Sequence, residues 1–152
     1  MLSLICALLL MVSAAGQPQT AGSAEAPAQI VIRHPALRIV AGQGQLLMLV
    51  ENAGPVPDRV VSVASPAGTV GKIAIAVQTG NRSQALAPDD RTIAGRAADA
   101  PGPALSVVAV SLTDLVDPAP AAPVAVTVTF EHAGAVTVNA EPIGPGAPAP
   151  PA

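Results

Sequence analysis

The chain has 152 residues, a length that suits one domain. Hydrophobic residues make up 51%, but only 11% are charged and 1% aromatic, and 17 prolines and 13 glycines interrupt the chain. This composition argues against long helices. A net charge of −3 with scattered basic residues excludes an electrostatic site for nucleic acid or for anionic lipid.

The N-terminal segment is predicted to direct export. Leu2–Val12 form an apolar run, shorter than the about 20 residues of a bilayer-spanning helix, and small residues follow at 13–16. This pattern is typical of a signal peptide, here residues 1–15, cleaved after Ala14 or Ala15, although the usual preceding basic residues are missing. The alternative is an uncleaved anchor. We therefore expect an extracytoplasmic protein, in the cell envelope or secreted, with no transmembrane domain after cleavage.

Cys6 is the only cysteine of the chain and lies inside this apolar run. Ile5 precedes it where a lipoprotein acceptor site has a small residue, so we interpret Cys6 as an apolar residue of the signal segment. Residues 16–28, rich in Pro, Ala, Gly and Ser, are predicted to be a flexible linker, and residues 144–152 a disordered Pro/Ala tail.

Residues 29–143 contain strand-length apolar runs separated by turn residues. Between them, Gln78–Pro103 is polar and rich in breakers, with Leu86 and Ile93 as candidate anchors in the core. Several short strands with intervening turns predict an antiparallel β-sandwich. The predicted strands are 29–40, which is broken at His34-Pro35, then 45–52, 59–64, 69–77, 104–112 and a final hairpin over 123–143.

The final hairpin is the clearest structural signal. Val124, Val126, Val128 and Phe130 alternate with smaller or polar residues, which is the period of a strand with one buried face. The segment 131–134 then predicts a turn in which Gly134 supplies a positive φ. Such a hairpin needs a second sheet over its apolar face to be stable.

Three segments together resemble the extracytoplasmic copper chaperone family called PCu(A)C. They are VENAGPVPDRVVSVASPAG (50–68), ALSVVAVSL (104–112) and VAVTVTFEHAGAVTVNAEPI (124–143). The matching motif residues are Asn52, Gly54, Asp58, Arg59, Ser65, Pro66, Thr129, Phe130, Glu131, Ala133 and Gly134. The resemblance implies a cupredoxin-like, Greek-key β-sandwich over residues 29–143.

The resemblance also implies a Cu(I) site made of histidine and methionine, which are ligands suited to that ion. One His/Met pair of the family falls just beyond the Ser-Pro turn, where this chain has 70–75, VGKIAI. The other pair, His-x-Met, falls on Ser106 and Val108. None of these residues is a soft ligand, so we predict that the usual copper site is degenerate.

Three residues remain as candidate metal ligands after signal cleavage: His34, His132 and Met48. Met48 lies within an apolar strand, where core filling is the alternative role. His34 precedes a proline at a strand break and His132 lies in the hairpin turn, where both would be solvated. A rearranged copper site from these three is therefore the alternative hypothesis, and no cofactor is predicted otherwise.

Other chemistry finds little support in the residues. No nucleotide-binding or zinc-protease motif occurs, and no serine lies in a nucleophile-elbow context. Asp89 and Asp90 could bind Ca²⁺ with Asp99, but solvated loop charges are the alternative. Asp58-Arg59 is interpreted as an ion pair or a turn hydrogen bond. We thus predict a non-enzymatic envelope module with no catalytic residue, whose protein partner is unknown.

Overall fold

The computed structural model describes residues 29–117 and 120–144, and every regular element among them is a strand. None of the described segments forms a helix that could cross a bilayer. The predicted all-β class is confirmed. The signal peptide, Cys6, the linker and the tail lie outside the described residues. The strands are β1 (Ile30–Val40), β2 (Gln43–Asn52), β3 (Asp58–Ala64), β4 (Thr69–Thr79), β5 (Arg82–Ala85), β6 (Thr92–Ile93), β7 (Ala104–Thr113), β8 (Val124–Phe130) and β9 (Gly134–Ile143).

The strands form one curled sheet in the order β5-β4-β7-β2-β1-β9-β8-β3-β6. We call β5-β4-β7-β2-β1 the long half and β9-β8-β3-β6 the hairpin half. All pairs are antiparallel except the seam between the halves, where Ala36–Arg38 of β1 run parallel to Glu141–Ile143 of β9. A single seam lets the two halves fold over one shared core.

The core is built from every second residue of the long strands. In β7, Val108 and Val110 are buried, and in β8, Val126 and Val128 are buried, while the residues between them are partly exposed. The period-2 alternation in the sequence therefore places one face of each half inward. One hydrophobic cluster contains buried residues of both halves, as expected for a two-layer sandwich.

The predicted hairpin forms as β8 and β9. Val126 is opposite Val138 and Phe130 is opposite Gly134. Gly134 has a φ of 77°, a backbone conformation that is strained in residues with a side chain. Glycine therefore suits the end of this turn. Phe130, the only aromatic residue, is 2% exposed and completes the core beside the turn.

The break predicted at His34-Pro35 is a bulge within one strand. The pairing of β1 with β2 shifts between Arg33 and Ala36, and His34 has a φ of 48°. Proline has no N–H for the ladder, so its place at a bulge is expected.

The segment 78–103 contains more structure than the sequence suggested. Arg82–Ala85 pair with the end of β4, and Thr92–Ile93 pair with the start of β3. All four residues of β5 are exposed, so no apolar pattern in the sequence predicts this strand. The predicted anchors do pack inward: Ile93 is fully buried and Leu86 contacts the core.

Candidate functional site

Met48, one of the three candidate ligands, lies in the core. It is 2% exposed and belongs to the buried hydrophobic cluster. Its neighbour on β7 is Val108, the position that the family resemblance assigns to a methionine ligand. The thioether is therefore near the expected site but is surrounded by aliphatic side chains.

His34 lies on the bulge of β1, next to the stretch of β2 that contains Met48, but the two side chains differ in environment. The imidazole of His34 is on the exposed side of the strand, whereas Met48 faces the core. The backbone thus brings these residues near each other without directing both side chains to one point.

His132 lies at the far end of the hairpin half. Since Ala36 is level with Glu141, His34 is level with about Asn139. From there to Gly134 is five residues, roughly 17 Å at about 3.3 Å per residue, and His132 lies beyond. The two imidazoles are therefore far apart along the strand direction, and the three candidate ligands do not converge.

His132 instead contacts a carboxylate. Its Nδ1 lies 3.3 Å from Oδ1 of Asp58, and its backbone N–H donates to the same oxygen at 3.0 Å. The imidazole is 55% exposed, whereas the Asp58 side chain is completely buried. His132 is thus solvated, as expected from the sequence. Its Nδ1 edge, however, is held in place by the contact with Asp58.

Asp58 is the polar centre of this end of the sandwich. Its carboxylate accepts from the N–H of Arg59 at 2.7 Å and from the N–H of Ala133 at 2.9 Å, besides that of His132. These bonds fix the start of β3 to the β8–β9 turn. Of the two alternatives for Asp58-Arg59, the turn hydrogen bond is present, and the described residues show no ion pair between them.

The ionisation of Asp58 follows from these contacts. Burial raises the pKa of the carboxyl, but the backbone hydrogen bonds from His132, Arg59 and Ala133 and the side-chain contact with His132 outweigh it. The pKa of Asp58 therefore lies below its ordinary value of 3.8. A carboxylate held in this way stabilises the turn.

A second buried polar residue, Asn52, shapes the turn before β3. Its Oδ1 accepts from the N–H of Gly54 at 3.0 Å, and its Nδ2 donates to the carbonyl of Val56 at 2.8 Å. Ser65 caps the next turn, where its Oγ accepts from the N–H of Ala67 at 3.2 Å. Several residues that carry the family resemblance thus hold turns and are not ligands.

The segments to which the resemblance assigns the copper ligands carry no soft donor atom. Ser106 and Val108 are both fully buried on β7, and Ile73 and Ile75 are buried on β4. The Oγ of Ser106 has no hydrogen-bond partner among the described residues. One hydroxyl and aliphatic carbons are not donors that Cu(I) prefers, so the residues at these positions do not fit a copper site.

The remaining chemical candidates also stay apart. No group of three or more His, Cys, Asp or Glu side chains among the described residues could hold a metal ion. Asp90 accepts from the N–H of Thr92 at 3.0 Å, which is a turn contact of the solvated loop. The threonine bonds and the charge of Arg59 hold the pKa of Asp90 below its usual value.

Sequence reasoning did not identify the long-range part of the Asp58 cluster. Asp58 and Ala133 are 75 positions apart, and a local motif cannot report such a contact. A shallow groove of about 310 Å³ lies beside this cluster, lined by Arg59, Val60, Val61, Arg91 and Glu131. The guanidinium of Arg91 donates to the carbonyl of Val61 at 3.4 Å, which protects part of the open edge of β3.

Comparison with known proteins assigns the chain to a family. Residues 30–142 match the family model "Putative lipoprotein LpqE-like". No curated protein sequence matches the chain.

Comparison with solved structures finds PCuAC domains. The chain is similar to the apo PCuAC domain of PmoF2, with 28% identity and a TM-score of 0.53 over 80% of this chain and 95% of that one. The copper-bound PCuAC domain from PmoF2 matches with 30% identity and a TM-score of 0.47 over 79% and 97% of the two chains. The apo PCuAC domain from PmoF1 matches with 23% identity and a TM-score of 0.44 over 78% and 97%.

The family match and the apo PCuAC domain of PmoF2 confirm the resemblance and the cupredoxin-like β fold that it implied. Because the family model spans most of the chain, this protein belongs to the LpqE-like family and has a PCuAC-type domain.

Proposed function

We propose that this protein is a non-enzymatic module of the cell envelope, related to copper chaperones, in which the usual Cu(I) site is lost. It acts through its surfaces, as a binding or scaffold protein. The observation that carries the proposal is the state of Ser106 and Val108, which stand at the family's His-x-Met positions and are sealed in the core.

The burial of these two residues supports loss of the site more strongly than their identity alone. A chaperone must exchange its ion with a partner, so its ligands need an approach from solvent. Ser106 and Val108 are both 0% exposed, and Val50 and Met48 flank them on β2. Restoring a ligand would require an opening in the core as well as a soft donor atom.

The extracytoplasmic location is supported by the lipoprotein family and by the apolar N-terminal run. A non-enzymatic role is supported by the kinship with chaperone domains. It also fits the hydrogen bonding of Asp58, the carboxylate that contacts His132: Asp58 is buried and accepts three backbone N–H groups. Such a carboxylate orients a turn and has little capacity left to move a proton.

Cu(I) titration under reducing conditions, in competition with a chromophoric Cu(I) chelator, tests the proposal. We expect the purified protein to leave the chelator complex intact at equimolar copper. Stoichiometric removal of copper from the chelator would overturn the proposal.

Two variants identify the ligands if copper is removed. Loss of binding in both His34→Ala and Met48→Leu would indicate a rearranged site at the β1 bulge. His132→Ala is the matched control at the distant turn, since it removes an imidazole of similar exposure without touching the bulge.

A further inference from the structure

A row of polar residues crosses the outer face of the long half. Arg38 of β1 is level with Gln45 of β2, and Gln45 is level with Ser111 of β7. The pairing of β7 with β4 shifts at a bulge that contains Gly71 and Lys72, which lie opposite Ser111. We call four of these residues the polar row: Arg38, Gln45, Ser111 and Lys72.

The polar row points away from the core. Each of its members is next in its strand to a buried residue of the core cluster, namely Leu37, Leu46, Val110 and Ile73. Successive side chains of a strand point to opposite faces, so the polar row lies on the outer face. A solvated sheet face is polar in any case. The argument for a binding site therefore depends on how the two cations of the row are held.

The bulge in β4 fixes the backbone of Lys72. The Oγ of Ser111 accepts from the N–H of Lys72 at 2.7 Å and donates to its carbonyl at 3.3 Å. A side chain at position 71 would begin 2.8 Å from the same oxygen, so Gly71 permits this close approach. Bulges often redirect a side chain beside a functional site. Here Lys72 is placed at the margin of a depression.

The depression lies between the strands of the polar row. It has a volume of about 160 Å³ and is lined by Gln45, Lys72, Ala74, Ala109, Val110 and Ser111. The two alanines leave the space open because their side chains are small. One water occupies about 30 Å³ in the liquid, so the depression has room for about five waters or one small organic molecule.

Arg38, at the other end of the polar row, lacks an anionic partner. Its Nε is buried and has no hydrogen-bond partner among the described residues. Within the same part of the chain, neither Arg38 nor Lys72 takes part in an ion pair. A buried donor without an acceptor costs stability, most of all on a charged group. An anion beside the guanidinium would supply the missing acceptor.

We propose that the polar row binds a small oxyanion, a carboxylate or a phosphate monoester, that carries a short apolar group. Arg38 and Lys72 are three strand spacings apart, about 14 Å, and their long stems allow both charged ends to lean towards Gln45. An anion between them replaces the repulsion of two cations with charge-assisted hydrogen bonds, to which the Gln45 amide adds a donor. The apolar group lies in the depression against Ala74 and Ala109.

The charges around the polar row limit the ligand to a single anionic group. Glu141 is level with Ala36 on the β9 side of the row, and Asp114 follows three residues after Ser111. Both carboxylates repel an anion that extends beyond the row. Two cations are also too few for the repeated charges of nucleic acid or of a lipid surface. The ligand is therefore a small molecule.

An NMR titration of the isotope-labelled protein with butyrate and with butyl phosphate tests the proposal. We expect saturable shifts of the amide signals of Gln45, Lys72 and Ala109. The dissociation constant should be about 1 mM, because both cations remain partly solvated. Neutral butyramide should cause no saturable shift, and added salt should weaken the binding of both anions. The anion that binds more tightly identifies the preferred head group.

Three variants assign the binding to the polar row. Lys72→Gln and Arg38→Gln should each weaken it about tenfold, since each removes one charged contact. Arg33→Gln is the matched control, because it removes a cation of the same face that is already paired with Glu51 at 2.8 Å. This control should bind like the wild type. Unchanged amide signals away from the row show that each variant is folded.

Two results would overturn the proposal: no saturable shift with either anion, or wild-type affinity in both polar-row variants. The polar row shares no residue with the positions of the family's copper ligands. The anion titration and the copper titration therefore test separate proposals, and either one can fail without the other.

Discussion

The two halves of the sandwich share one core but present different outer faces to their surroundings. In the hairpin half, Thr127 and Thr129 alternate with the buried valines of β8, and Thr137 and Asn139 alternate with partly buried valines on β9. In the long half, leucine, valine and alanine occupy the middle outward positions of β2 and β7, and polar residues such as Gln45, Glu51 and Ser111 lie on either side of them. The hairpin half therefore has the more polar outer face, and the long half has a mixed one.

Two regions of the sandwich also differ in how they bond buried polar groups. At the end where β2 stops and β3 starts, Asp58 is surrounded by donors, and Asn52 bonds three groups around its turn. In the middle of β7, the buried hydroxyl of Ser106 has no hydrogen-bond partner among the described residues. The first region is therefore specified by polar contacts and the second by apolar packing, and the following experiments test that contrast.

The largest effect is expected at Asp58. Asp58→Ala leaves the N–H groups of Arg59, His132 and Ala133 without their acceptor, and hydrogen bonds to a charged group are worth about 1.5–3 kcal/mol. We expect a loss of about 3 kcal/mol in the free energy of unfolding, measured by urea denaturation. Asp89→Ala, in the solvated loop, is the control and should change little. An Asp58→Ala protein as stable as the wild type would show that packing alone holds this end.

The second expected effect is a pH dependence of the free energy of unfolding, which also originates at Asp58. The pKa of Asp58 is lower in the folded chain than its ordinary value of 3.8, so the unfolded chain binds the proton first as the pH falls. The stabilisation is thus fully present above that value and is lost as the pH falls through the folded pKa. In urea denaturation at a series of pH values, the free energy of unfolding should fall steeply at acid pH in the wild type and less steeply in Asp58→Asn. If both proteins lose stability equally at acid pH, the loss is due to other carboxyl groups.

Removing the isolated buried hydroxyl of the long half should raise the free energy of unfolding, in contrast to the two losses above. Ser106→Ala deletes a buried polar atom that has no partner among the described residues, and an unsatisfied group costs about 1–3 kcal/mol. Since the lost Oγ also leaves a small void, we expect a net stabilisation of about 1 kcal/mol by urea denaturation. Asn52→Ala, at a bonded buried polar residue, is the contrast and should destabilise. Destabilisation by Ser106→Ala would mean that the hydroxyl has a partner in solution.

The smallest effect is expected on the outer face of the hairpin half. The hydroxyls of Thr127 and Thr137 lie 2.9 Å apart on opposite strands. Cross-strand pairs of this kind contribute about 0.2–1 kcal/mol. A double-mutant cycle with Thr127→Val and Thr137→Val should give a coupling near 0.5 kcal/mol that does not change with protein concentration. A coupling that grows with concentration would place an interface between copies on this face.

Local patterns in the sequence were enough for much of the fold. The valine alternation from Val124 to Phe130 predicted β8 and its buried face, and Gly134 predicted the turn, because both signals depend on neighbouring residues. The lack of soft donors at Ser106 and Val108 was equally visible. In contrast, β5 escaped detection because Arg82–Ala85 are exposed and obtain their strand form only from pairing with β4.

By itself, the sequence determined most of the strand-forming segments, their inward faces and the absence of histidine and methionine at the family's ligand positions. Only the tertiary structure decided which strands are neighbours, and with them the long-range bonds of Asp58. The physical reason is that side-chain period reports which way a residue points along its own strand. Register between strands that are distant in the chain is set by how the two halves close over a common core.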